Sequence, residues 1–218
     1  MKIAVDGPAG AGKSTAAKAV AKALGINYLD TGAMYRAVAY AFISRGIDVN
    51  DHDAVLAALP GLDVRVEYTG GKQVNLVEGA DMNAYIRTPE VSKGASDVAV
   101  IPAVRLKLVE LQRQVADEYD IVMDGRDIGT HVLPNADYKF YITASPAVRA
   151  QRRYLEIHAS HPEVTVEQIK SDIISRDKTD STREFAPLRQ AEDAVLVDTS
   201  NMGIEEVVAL IVSAIKAK

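Results

Sequence analysis

The chain has 218 residues, 48% of them hydrophobic and 25% charged, with a formal net charge of −5 and no cysteine. That length buries a sizeable core as one domain, with room for a small inserted subdomain. The acidic balance excludes a general nucleic-acid coat, so any anion binding must come from local arginine clusters; the lack of cysteine excludes disulfides and thiolate metal sites and fits a reducing cytoplasm.

The first residues enter an apolar strand without the basic-then-apolar pattern of a signal peptide, and no stretch approaches the roughly 20 apolar residues of a membrane span. The expectation is a soluble, cytoplasmic protein. In chain order, KIAVDG predicts a strand and Ser14 to Leu24 a helix stopped by Gly25. NYLD predicts a short strand, followed by a helix from about Gly32 to Ser44 that Gly46 ends. LDVRVEYTGGKQVNLVEG alternates on both sides of a Gly-Gly turn, which predicts an antiparallel hairpin. Helical pattern resumes over Val91–Ser96 and from Pro102 to about Glu118. DIVMDG and YKFYIT read as the third and fourth buried strands. A long helical region follows from Pro146 to about Asp180, with a break near His161-Pro162. AVLVDTS is the fifth strand, and a helix over Ile204–Lys216 closes the chain. Strands separated by helices predict an α/β fold: a five-stranded parallel sheet covered on both faces. The hairpin becomes a small antiparallel insert at about 60–100 in a single domain 1–218, and 146–183 forms an arginine-rich region.

GPAGAGKS, from Gly7 to Ser14, fits G-x-x-x-x-G-K-[ST] and lies between a strand and a helix start. Glycines at this position let backbone N–H groups converge on phosphate oxygens, and the helix N-terminus adds its dipole. The expected nucleotide cradle is Gly7, Pro8, Ala9, Gly10, Ala11, Gly12, Lys13, Ser14 and Thr15. Lys13 reaches the β- and γ-phosphates and the Ser14 hydroxyl ligates Mg²⁺. Asp124, ending the apolar strand IVMD, is the expected acidic partner of Mg²⁺ through water. The guanine-reading N-K-x-D of switch GTPases is absent.

Arginines beside turns and acids set the second substrate. Arg36 follows Tyr35 in DTGAMYR, Arg87 stands just past the hairpin, and Arg126 and Asp127 follow the third strand, at the sheet edge where ligands bind. Arg149, Arg152 and Arg153 share one helical face, either a ligand surface or a solvated one. So many guanidinium forks suit phosphoryl transfer between two anionic substrates.

DTGAMYR, DGRDIGT and the R-D-x-x-D-x-x-R-x-x-x-P-L pattern of RDKTDSTREFAPL carry a resemblance that runs nearly end to end. The chain resembles the bacterial cytidylate kinases of the nucleoside monophosphate kinase group. The resemblance implies ATP as phosphoryl donor and CMP or dCMP as acceptor. It implies Arg36, Arg126 and Arg183 on the CMP phosphate, Thr31 near it, Ser96, Arg105 and Asp127 on the cytosine edge, and Tyr35 and Asp180 at the sugar. Arg152 and Arg176 would approach ATP and the migrating phosphoryl when the lid closes. Asp177 and Asp180 also stand at helical spacing from Arg176 and Arg183, so an ion-pair set within one helix is open for part of this cluster. Competing expectations are a kinase for another monophosphate or a small metabolite hydroxyl, and a nucleotide-dependent regulatory protein. A monomer with no nucleic-acid or membrane partner is expected.

Overall fold

A computed structural model describes residues 1–159 and 161–217; Ser160, inside the long helical region expected at 146–180, lies outside them. The described residues form two compact units, one from residues 1–26 and 121–218, the other from 27–120.

The first unit holds strands β1 (Lys2–Asp6), β6 (Ile121–Asp124), β7 (Tyr138–Thr143) and β8 (Val195–Asp198), and helices α1 (Lys13–Leu24), α6 (Pro146–Ile157), α7 (Val166–Thr182) and α8 (Ile204–Lys216). β1 pairs in parallel with β6, Lys2 opposite Ile121, and with β7, Ile3 opposite Tyr138; β7 pairs in parallel with β8. Ile3, Ala4, Val5, Ile121, Val122 and Met123 are fully buried. Continuous apolar runs rather than alternation are what a parallel sheet with both faces covered requires. α6 and α7 pack on each other, and their break matches the one expected near His161-Pro162. Ser145 caps α6 with Pro146 at its first turn, and Thr165 and Gln168 form a reciprocal capping box on α7.

The second unit runs β2 (Asn27–Asp30), α2 (Thr31–Ser44), α3 (His52–Ala58), a 3₁₀ turn at Leu59–Gly61, β3 (Val64–Thr69), β4 (Lys72–Val77), β5 (Ala80–Asp81), α4 (Pro89–Val98) and α5 (Pro102–Glu118). β3, β4 and β5 form the antiparallel insert, a hairpin with one short extra strand. α2 packs on α4 and on β4. The unit's two ends meet: the Asn27 N–H donates to the Asp120 carbonyl at 3.1 Å. The parallel sheet of the fold has five strands. Among the described residues no helix is long and apolar enough to cross a membrane.

Candidate active site

β1 delivers the chain into the glycine-rich loop at Gly7, whose φ of +142° and close approach to β7 both demand glycine: a Cβ there would collide with the Ile142 carbonyl oxygen. Gly12, with φ +84°, opens α1. Lys13 folds back so that Nζ donates to the Pro8 carbonyl at 2.7 Å. Burial first, then the Arg126 charge, lowers the Lys13 pKa to about 7, against the opposing pull of Asp124, Asp180 and Asp6. The Ser14 hydroxyl donates to Asp124 Oδ2 at 2.7 Å. These hard oxygens, side by side at the helix start, fit Mg²⁺. Among the described residues no cluster of three or more His, Cys, Asp or Glu offers a separate metal site.

A web of buried ion pairs stands in the same unit. Arg126 Nε donates to Asp180 Oδ2 at 2.8 Å, and Arg183 Nη2 reaches Asp127 Oδ1 at 3.3 Å. Burial alone would raise the Asp180 carboxyl, yet Arg126, Arg176 and Arg183 hold it below its ordinary value. Burial disfavours the Arg126 charge, and Asp180, with Asp124 and Asp177, more than restores it. Within α7 and its C-cap, Asp180 meets Arg183 at 3.7 Å, a looser contact than the one with Arg126. The closest ion-pair partners of Asp180 and Arg183 therefore lie on other elements.

The three arginines of α6 separate. Arg153 pairs with Glu156 on the surface. Arg152 donates to the Thr199 hydroxyl at 3.0 Å and carbonyl at 2.7 Å, and its Nη1 lies 3.9 Å from where a Gly12 Cβ would stand. Arg149 is buried: Nε donates to the Ala144 carbonyl, Nη1 to the Ala9 carbonyl at 2.9 Å, and Nη1 lies 2.7 Å from Asp177 Oδ2. The other Asp177 oxygen accepts from the Ala9 N–H at 3.3 Å. Together the pair grips both polar atoms of one phosphate-loop residue. The i, i+3, i+4 spacing put Arg149 on a face open to either a ligand or solvent, and nothing in the sequence pointed to the loop backbone as its partner.

Asp6 was read only as the end of a strand. It is 4% exposed, and its two oxygens accept from the Ile128 and Gly129 N–H groups at 2.8 and 2.7 Å. Those residues begin the π-helical turn Ile128–Val132, directly after Arg126 and Asp127. Burial, outweighing these two bonds, raises the Asp6 pKa to about 6.

In the second unit Asp30 caps α2, accepting from the Ala33 N–H at 2.8 Å through Oδ1, while Oδ2 meets Arg36 at 3.0 Å and Arg87 at 3.2 Å. Thr31 is buried at the first turn of α2. Arg105 is 1% exposed, donates to the Ala99 carbonyl at 3.2 Å and lies over the Tyr35 ring, 5.7 Å from its centroid. Ser96 Oγ reaches the Ser92 carbonyl at 3.4 Å on α4.

The family model described as cytidylate kinase matches residues 3–217. A cytidylate kinase of Clostridioides difficile is 50% identical over 216 residues, 99% of this chain and 98% of that protein. One from Caldicellulosiruptor bescii is 46% identical over 207 residues, 95% and 92% of the two chains. A solved gluconokinase of Sinorhizobium meliloti shares the fold at 14% identity, with a TM-score of 0.51 over 99% of this chain and 91% of that one.

Proposed function

The chain belongs to the cytidylate kinase family, and from that premise we propose how its residues divide the two substrates between them. The reaction is transfer of the γ-phosphoryl of ATP to CMP or dCMP, giving CDP or dCDP and ADP. Gly7 to Thr15 cradle the triphosphate, with Lys13 on the β- and γ-phosphates. Mg²⁺ would be held by Ser14 and, through water, by Asp124, and would supply charge neutralisation to the triphosphate. Arg36, Arg126 and Arg183 take the CMP phosphate, with Thr31 near it. Ser96, Arg105 and Asp127 read cytosine, and Tyr35 and Asp180 meet the sugar. Arg152 and Arg176 serve ATP and the migrating group.

One observation carries this reading. Arg126 and Arg183 share a unit with the phosphate loop, and carboxylates of Asp180 and Asp127 already hold them in place. An incoming phosphate finds cations whose orientation cost has been met during folding. The acceptor oxygen of CMP is anionic near pH 7, so no general base is needed. The protein contributes alignment of donor and acceptor, and positive charge where the loose transition state spreads negative charge. Closure that excludes water protects the phosphoryl from hydrolysis. The reading extends to a cytoplasmic monomer, in keeping with a cysteine-free chain; sedimentation checks the second part.

The deciding experiment offers ATP with Mg²⁺ to CMP, dCMP, UMP, AMP, GMP and neutral metabolites. CMP and dCMP should turn over fastest, and ADP release should depend on the acceptor. Faster turnover of another acceptor sinks the cytidylate reading, and acceptor-independent ADP release favours a regulatory hydrolase. Arg126→Ala and Arg183→Ala should each cut kcat/KM for CMP steeply. A loss below about threefold, roughly 0.7 kcal/mol, removes that residue from the phosphate site.

A further inference from the structure

The antiparallel insert does more than extend the second unit. Its side chains bond the backbone of β2 at alternate residues. Tyr68 Oη donates to the Tyr28 carbonyl at 3.2 Å. Two residues on, Gln73 takes both polar backbone atoms of Asp30: the Asp30 N–H donates to Oε1 at 2.7 Å, and Nε2 donates to the Asp30 carbonyl at 3.2 Å. The N–H can bond only an oxygen, so the amide orientation is fixed. Nε2 also donates to Asn75 Oδ1 at 2.8 Å; Asn75, 2% exposed, donates to Asn83 Oδ1, and Asn83 Nδ2 returns to the Gln73 carbonyl. This closed ring of amides holds Gln73, because the half-buried amide, if it let go, would leave the buried Asn75 and the Asp30 backbone without these bonds.

The residue so gripped is the one that organises the arginines. Asp30 is the last residue of β2 and the N-cap of α2, and its Oδ2 accepts from Arg36 and Arg87. Gly32 leaves the space: a Cβ there would lie 3.2 Å from both Arg36 Nη1 and Asp30 Oδ1. A carboxylate aims a guanidinium only as well as its own backbone is held.

We propose that Gln73 is a positioning residue for the monophosphate, fixing the backbone of Asp30 and through it the guanidinium of Arg36. The inserted hairpin is thereby part of acceptor recognition without touching the acceptor. This rests on the reading of Arg36 as a ligand of the CMP phosphate.

The test uses the full chain and steady-state kinetics with both substrates. Gln73→Met keeps the volume and removes the bonds; KM for CMP should rise about tenfold, with KM for ATP within twofold. Gln73→Glu still accepts from the Asp30 N–H but turns a second oxygen toward the Asp30 carbonyl, so it should show the same selectivity and provides a second, independently folded variant. In a double-mutant cycle, Gln73→Met added to Arg36→Ala should change KM for CMP by less than twofold, since the guanidinium it aims is gone. An unchanged KM for CMP in both Gln73 variants overturns the proposal. So does an equal rise in both KM values, which marks general loosening, or effects that multiply in the double variant. If Arg36→Ala itself leaves CMP kinetics unaltered, the reading of Arg36 fails and the proposal falls with it, visibly apart from the Gln73 result.

Discussion

Lys13 shows what a residue's neighbours add to a motif. Its place in the phosphate loop follows from spacing alone, but its lowered pKa does not, because that depends on burial and on Arg126, more than a hundred positions away. The folded pKa of about 7 lies below the model-compound value of 10.5, so between those limits the unfolded chain binds a proton that the folded one lacks. Stability from this group is therefore fully present above about 10.5 and lost as pH falls through 7. Denaturant melts of the nucleotide-free protein at pH 7 and pH 9 should show the wild type gaining on Lys13→Met with rising pH, by at most about 1.4 kcal/mol per unit. A difference that stays flat refutes the shift. Triphosphate oxygens restore the charged form, so ATP binding at pH 8 should take up a proton, readable as buffer-dependent heat in calorimetry. Asp6 was equally hidden: in KIAVDG it reads as the end of a strand, and its two amide partners come from a π-helical turn that no periodicity announces.

At the scale of elements, strands and long helices were legible because apolar runs and caps are local. α3 was not: seven residues give too little periodicity, although Asp51 caps it by accepting from the Ala54 N–H. The break between α6 and α7 was legible, but the purpose of those helices was not. Arg149 and Asp177 stand on different helices, pair directly at 2.7 Å, and each also bonds Ala9 in the loop between β1 and α1. Asp177→Asn keeps an acceptor for the Ala9 N–H and removes the charge facing Arg149, a buried cation left without its counter-ion. We expect KM for ATP to rise about three- to tenfold while KM for CMP stays within twofold. An effect confined to CMP would place the pair in acceptor binding instead.

For the whole molecule, the residues proposed for CMP are scattered along the chain: Thr31, Tyr35, Arg36, Ser96 and Arg105, then Arg126, Asp127, Asp180 and Arg183. Resemblance to a family joined them, since no spacing in the chain relates position 36 to position 183. Hydrogen exchange gives a direct check. CMP should slow exchange near 31–36 and 96–105 and also near 126–132, whereas an ATP analogue alone should act chiefly on 7–15. Protection by CMP limited to one unit would remove the other unit's residues from the acceptor site. The meeting of Asn27 and Asp120 has a consequence for how such proteins diversify. A segment of 27–120 that begins and ends at one hydrogen bond behaves as a cassette. Insertions and deletions in its interior leave its two ends meeting, so its length can vary without re-threading the chain on either side.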